Sequence, residues 1–215
     1  MRRHVPILTL SLIGPALLIH GLQSMESLLT YERGAIAQGQ YWRLLTCHWC
    51  HLSFSHLFWN VLLVAIAGTI LERQSQSELK RTIAFSLGIL GPLLFVWLPG
   101  MASYVGLSGL AAALVATTTT KGLLRRDHNT WIWAGIAILL LAKIIHESID
   151  PRLLLSDSDG LRSVPRAHAI GAVSGLVATL PTNRQRGNPM ATETRSPLRE
   201  TPPLMTSGHP NHHPG

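Results

Sequence analysis

Apolar residues fall into six runs separated by polar stretches: Val5 to Leu22, Phe54 to Leu71, Thr82 to Leu98, Tyr104 to Thr120, Trp131 to Ile145 and Val164 to Leu180. Each approaches the ~20 residues that carry an α-helix across bilayer hydrocarbon. Helix is the expected form because backbone polar groups have no other partner in lipid. The pattern predicts an all-α fold, a polytopic membrane protein with a six-transmembrane-helix bundle over residues 1–181. Residues 182–215 are rich in Pro, Thr, Asn and Arg without apolar period, and are expected to form a disordered tail.

The runs differ in kind. The first follows Arg2 and Arg3 like a signal peptide, but no small-x-small cleavage site comes after it, so a retained helix is expected. The fourth and sixth are dominated by small residues, which suit close helix packing. The fifth is rich in Leu and Ile and suits a lipid-facing rim, and Pro92 is expected to kink the third. The polar stretch from Gln23 to Cys50 is amphipathic, and its Tyr31, Tyr41, Trp42 and Trp49 suit an interfacial position.

Composition narrows the class. Charged residues are 13% and hydrophobic residues 47%. That is about half the ~25% charge of a soluble domain, which excludes disorder and an ordinary soluble enzyme. Two cysteines exclude a disulfide scaffold. A net charge of +7 raises nucleic acid as a partner, but the basic residues lie in clusters between apolar runs. With six spans, twelve Lys and Arg fall on the side of both termini and five on the other, so the positive-inside rule places both termini in the cytoplasm. Nucleic-acid binding is not expected.

Polar residues at membrane depth are costly and mark function by default. His51, His56 and Asn60 lie at the start of the second run, Ser108 near the start of the fourth, and His168 near the start of the sixth. All three runs enter from the outer side, so their polar residues meet at one depth. His56 and Asn60 are four apart and share a helix face. Ala167, Gly171 and Gly175 form a small-residue stripe, and Gly109 and Ala113 offer a second. Two such stripes bring helices close enough for a Ser108 hydroxyl to reach a His168 nitrogen, as a nucleophile–base pair needs. His56 and Asn60 would then serve as oxyanion donors.

His51-Leu-Ser-Phe-Ser-His56-Leu-Phe-Trp-Asn60, Gly106-Leu-Ser108-Gly109 and Ala167-His168-x-x-Gly171-x-x-x-Gly175 resemble the rhomboid intramembrane serine proteases. Trp42-Arg43 resembles the Trp-Arg of their first outer loop, and the likeness runs from Tyr31 to Leu180. Within the family the chain is most similar to the rhombosortase branch, through the six-span minimum, Tyr31-Glu-Arg-Gly through Thr46, and Ala142-Lys143.

The resemblance implies an endopeptidase in a bacterial inner membrane, cutting membrane-anchored proteins near the extracytoplasmic face with no metal and no cofactor. Its rhombosortase form implies substrates with a C-terminal Gly-Gly motif, hydrophobic helix and basic end. It implies Ser108 as nucleophile and His168 as general base, a dyad without a third acid. His56, Asn60 and the Ser108 N–H would form the oxyanion hole, and His51 would hold water in the outer cavity. Many rhomboids place an aromatic four residues after the serine to support the imidazole; Ala112 stands there instead.

Rival readings compete for some of the same residues. Cys47-His48-Trp49-Cys50-His51 fits the haem c pattern, which would make His51 an iron ligand, and the same cluster invites zinc. A Cys47–Cys50 disulfide is a further possibility, against the plain reading of two small apolar residues. A catalytically inactive relative that binds membrane clients is the other alternative. Lys143 and Glu147 read as a helix-surface pair, and Thr117 to Thr120 as hydroxyls bonded one turn back. Asp157 and Asp159 read as a solvated loop, with a supporting acid for His168 as the alternative, and His209, His212 and His213 as a solvated tail, with weak metal binding as the alternative.

Overall fold

The computed structural model describes residues 5–150 and 164–180. The tail from 182, Arg2 and Arg3, Asp157 and Asp159, and the three tail histidines lie outside the described residues.

Helices occupy all six predicted runs: α1 (Ile7–Gly21), α5 (Phe54–Gln74), α6 (Gln76–Trp97), α7 (Ser108–Arg125), α8 (Thr130–Ile149) and α9 (Pro165–Ala178). Of these, α5, α6 and α8 are long and apolar enough to cross a membrane, while α1 is apolar but has 15 residues. Between α1 and α5 the polar stretch folds into short helices, α2 (Gln23–Leu29), α3 (Arg33–Ala37) and α4 (Arg43–Thr46), and a 3-10 turn, Cys47–Trp49.

Local chemistry sets the boundaries. Ser53 caps α5 by accepting the His56 N–H at 3.1 Å. Ser75 and Glu78 occupy the positions of a capping box at the start of α6, and Ser75 Oγ accepts the Glu78 N–H. Pro165 starts α9 at a position where its missing N–H costs nothing. At the far end of α5, the buried Glu72 carboxylate accepts the Leu8 and Thr9 N–H groups at 3.0 and 2.8 Å, placing negative charge at the N-terminus of α1.

Helix α7 is the hub and packs against α5, α6, α8 and α9. Its small residues make this possible. A Cβ at Gly171 would overlap the Gly109 carbonyl oxygen, and one at Gly175 the Ala113 carbonyl oxygen, so α7 and α9 touch backbone to backbone. Thr117 Oγ1 donates to Ala113 O one turn back and also lies 3.0 Å from Gly175 O, while Thr118 Oγ1 bonds Leu114 O. By contrast, α8 presents Ile138, Leu139, Leu141 and Ile149 outward, as a lipid rim requires.

The outer loop is tied down from several sides. Tyr31 and Glu32 (β1) pair antiparallel with Ser103 and Tyr104 (β2), in the register Tyr31–Tyr104. Tyr31 is therefore buried, where an interfacial ring was expected, whereas Tyr41 and Trp42 are exposed. Arg43 is buried, and its guanidinium donates to Ser27 O and Thr30 O at 2.8 and 2.7 Å. Arg33 donates to Phe95 O at the end of α6 and stacks over the Phe95 ring.

Candidate active site

Ser108 is the first residue of α7, delivered by a turn in which Gly106 has φ +116°, a left-handed conformation that favours glycine. The turn is pinned three ways. Gly106 N–H donates to Cys47 O at 3.0 Å, the Tyr104 hydroxyl donates to Gly106 O at 3.2 Å, and Leu107 N–H donates to His51 Nε2 at 3.4 Å.

That last bond defines His51. Its Nε2 accepts, so Nδ1 carries the proton and donates to Trp49 O at 3.1 Å. Burial, reinforced by the neighbouring His56, lowers its pKa to about 3. Both nitrogens are engaged by backbone, so His51 braces the serine turn and presents no free nitrogen for holding water.

His56 and Asn60 stand one turn apart on α5 against the same turn. A Cβ at Gly106 would lie 2.8 Å from His56 Cε1, 3.0 Å from His56 Nε2 and 3.6 Å from Asn60 Nδ2. The Asn60 amide nitrogen and His56 Nδ1 are buried without a hydrogen-bond partner among the described residues. Buried polar groups are nearly always paired, so donors left open beside a serine need an explanation.

His168 reaches the site through the α7–α9 contact. A Cβ at Gly109, next to Ser108, would sit 3.2 Å from the carbonyl oxygen of Ala167, next to His168. The His168 imidazole bonds to α8, and no hydrogen bond joins it to Ser108 Oγ among the described residues. What holds the imidazole comes from α8. Glu147 Oε2 lies 2.6 Å from His168 Nδ1, and Lys143 Nζ donates to the other oxygen, Oε1. Lys143 Nζ is 3.4 Å from His168 Nδ1. Glu147 is 1% exposed and, among the described residues, is the buried residue of α8.

Lys143 and Glu147 are thus no helix-surface pair. The i,i+4 spacing satisfies that reading, but α9 packs over the carboxylate and takes its second oxygen. A basic residue inside the fifth apolar run, Lys143, with an acid four residues on just past the end of that run, was the signal that would have revealed it.

The chain belongs to the rhomboid family. A family model described as the rhomboid domain matches residues 38–185. The chain is similar to "RHOMBOID-like protein 7" of Arabidopsis thaliana, 33% identical over 53% of this chain and 38% of that protein. It is equally similar to "Rhomboid protease GluP" of Bacillus subtilis (strain 168), 33% identical over 56% of this chain and 25% of that one. This rhomboid chain therefore spans about a third of the length of the relatives it matches.

The rival uses of the cysteine segment do not fit this rhomboid fold. Cys47 and Cys50 are buried free thiols, with burial raising both and Cys50 reaching about 11. A haem attachment needs accessible thiols and an available His51 nitrogen, and the fold uses both nitrogens on backbone. No three His, Cys, Asp or Glu side chains converge as a metal site among the described residues. His48 is fully buried and its pKa is lowered by burial to about 4, a packing role against the Tyr104 ring.

Proposed function

We propose that this rhomboid is an intramembrane serine endopeptidase that spans the bacterial cell membrane six times, with both termini and the 182–215 tail cytoplasmic. The observation that carries the reading is the open Asn60 amide beside the Gly106–Ser108 turn. A donor buried without a partner is costly at rest and useful when a substrate oxygen becomes negative.

The chemistry follows from these positions. A substrate helix enters laterally and unwinds near its outer end, because an intact helix hides its carbonyls in its own hydrogen bonds. Gly-rich stretches unwind most readily. Ser108 Oγ attacks the exposed carbonyl carbon while its proton passes to His168 Nε2. The oxyanion is held by the Ser108 N–H, Asn60 and His56. The His168 proton then goes to the leaving amine, and water hydrolyses the acyl-enzyme by the reverse roles. The resemblance of Tyr31-Glu-Arg-Gly through Thr46 and of Ala142-Lys143 to the rhombosortase branch supports the further reading that the substrates carry a Gly-Gly motif, an apolar helix and a basic end.

One observation favours the inactive client-binder, the missing Ser108–His168 hydrogen bond. Catalytic hydrogen bonds are often long before substrate binds, and both residues are present, so the enzyme reading stands. Fluorophosphonate labelling of detergent-purified protein decides between them, comparing wild type, Ser108→Ala and His168→Ala. The enzyme labels only as wild type. A folded wild type that does not label is the binder, and a visible Soret band would reinstate haem.

A further inference from the structure

We propose that Glu147, anchored by Lys143, is the positioning residue that fixes the tautomer of His168. The assignment rests on the protease reading above. An ionised carboxylate only accepts hydrogen bonds, and its 2.6 Å contact with His168 Nδ1 is far shorter than the 3.4 Å approach of the Lys143 ammonium to the same nitrogen, so the carboxylate contact puts the His168 proton on Nδ1 and leaves the Nε2 lone pair for Ser108. Glu147 itself gains and loses no proton in the cycle; it holds the ring and faces the imidazolium that forms when Nε2 takes the Ser108 proton.

Three features support this assignment. Burying a carboxylate is expensive unless it is paired, and Glu147 is 1% exposed on a helix whose Leu141, Ile145 and Ile149 are exposed. Its two oxygens are divided, Oε1 to Lys143 and Oε2 to His168, so the carboxylate cannot turn without breaking both contacts. Finally, Ala112 leaves the imidazole without an aromatic support from α7, and the acid from α8 supplies one.

Lys143 makes the proposal testable in a way that a purely structural ion pair would not be. In Glu147→Gln the amide oxygen is drawn to Lys143, which can only donate. The amide NH2 then faces His168 Nδ1, which must accept, and the proton moves to Nε2, where it blocks the base. Removing Lys143 frees the amide to turn its oxygen toward Nδ1 and restores the working tautomer.

The experiment combines fluorophosphonate labelling rates with 15N imidazole spectra of histidine-labelled protein in micelles, the His168 signals being those lost in His168→Gln. Wild type is expected to show the proton on Nδ1. Glu147→Gln should show it on Nε2 and label about 10³–10⁴-fold more slowly. Lys143→Met/Glu147→Gln should label at least about tenfold faster than Glu147→Gln alone, and Glu147→Asp should fall between.

A wild-type ring protonated on Nε2 overturns the proposal whatever the variants do. So does a Glu147→Gln protein that labels at the wild-type rate, or a double variant no faster than the single. A wild type that carries the proton on Nδ1 but never labels supports Glu147's hold on His168 and defeats the protease reading instead.

Discussion

The backbone contact between α7 and α9 makes a sharp prediction for Gly171→Ala. Alanine in mid-helix is ordinarily favoured over glycine by about 1 kcal/mol. Here the added methyl would land on the Gly109 carbonyl oxygen, which is backbone and cannot rotate away. Van der Waals separation requires the helices to part by roughly 1 Å. Overpacking of this kind costs about 1–3 kcal/mol and more against rigid backbone, so a net loss of about 1–3 kcal/mol is expected after the propensity gain. The same displacement carries His168 away from Ser108, and a misplacement of about 1 Å costs on the order of 10²-fold in rate.

Gly175→Ala, which meets the Ala113 carbonyl a turn deeper, should destabilise similarly with a smaller loss of rate. Gly88→Ala is the control, since nothing lies within 4 Å of its Cβ position, and it should melt no lower than wild type. Thermal unfolding in micelles and fluorophosphonate labelling rates read both quantities. A Gly171→Ala protein that melts and labels like Gly88→Ala would refute the close-packing argument.

Three further outcomes are expected. Asn60→Ala should slow turnover about 10²–10³-fold with little change in melting, because the amide nitrogen it removes has no partner among the described residues; a stability loss matching the rate loss would speak against an oxyanion donor. Arg43→Met should cost about 2–4 kcal/mol, since its guanidinium holds the carbonyls of Ser27 and Thr30 in the outer loop, and differential scanning fluorimetry would show the drop. Acid should loosen the same loop. His48 and His51 are held neutral, at about 4 and about 3, against ~6.5 when released, so the opened state binds more protons below pH ~6.5. Stability is full above that value and falls by up to about 1.4 kcal/mol per pH unit per ring as pH drops toward 4, and a melting temperature unchanged from pH 7.5 to 4.5 would contradict it.

Much of this arrangement was legible in one dimension because membrane folds obey strong local rules. The six apolar runs became the helices α1 and α5 to α9, and α5, α6 and α8 are long and apolar enough to cross a membrane, a property that needs only length and apolarity to be read. The four-residue spacing of Ala167, Gly171 and Gly175 carried the α7–α9 contact, because close approach demands small residues at that interval. What remained hidden depended on elements crossing in space. The β1–β2 pairing of Tyr31 with Tyr104 is two residues long, too short for any strand pattern. His51 carried a motif position, but only the fold shows its Nε2 accepting from Leu107 N–H. Glu147 looked satisfied by Lys143 on its own helix, and only the passage of α9 over that face reveals the second oxygen's partner.

The most direct test of the central claim is cleavage in proteoliposomes. A reporter carrying a Gly-Gly motif, one apolar helix and a basic C-terminus is co-reconstituted with wild type or Ser108→Ala, and the products are weighed by mass spectrometry. Wild type should release a fragment ending near the Gly-Gly motif at the outer end of the helix, and Ser108→Ala should leave the reporter whole. A reporter that co-purifies intact with the wild-type protein, or a fragment released equally by Ser108→Ala, would contradict a serine protease and leave a membrane binder in its place.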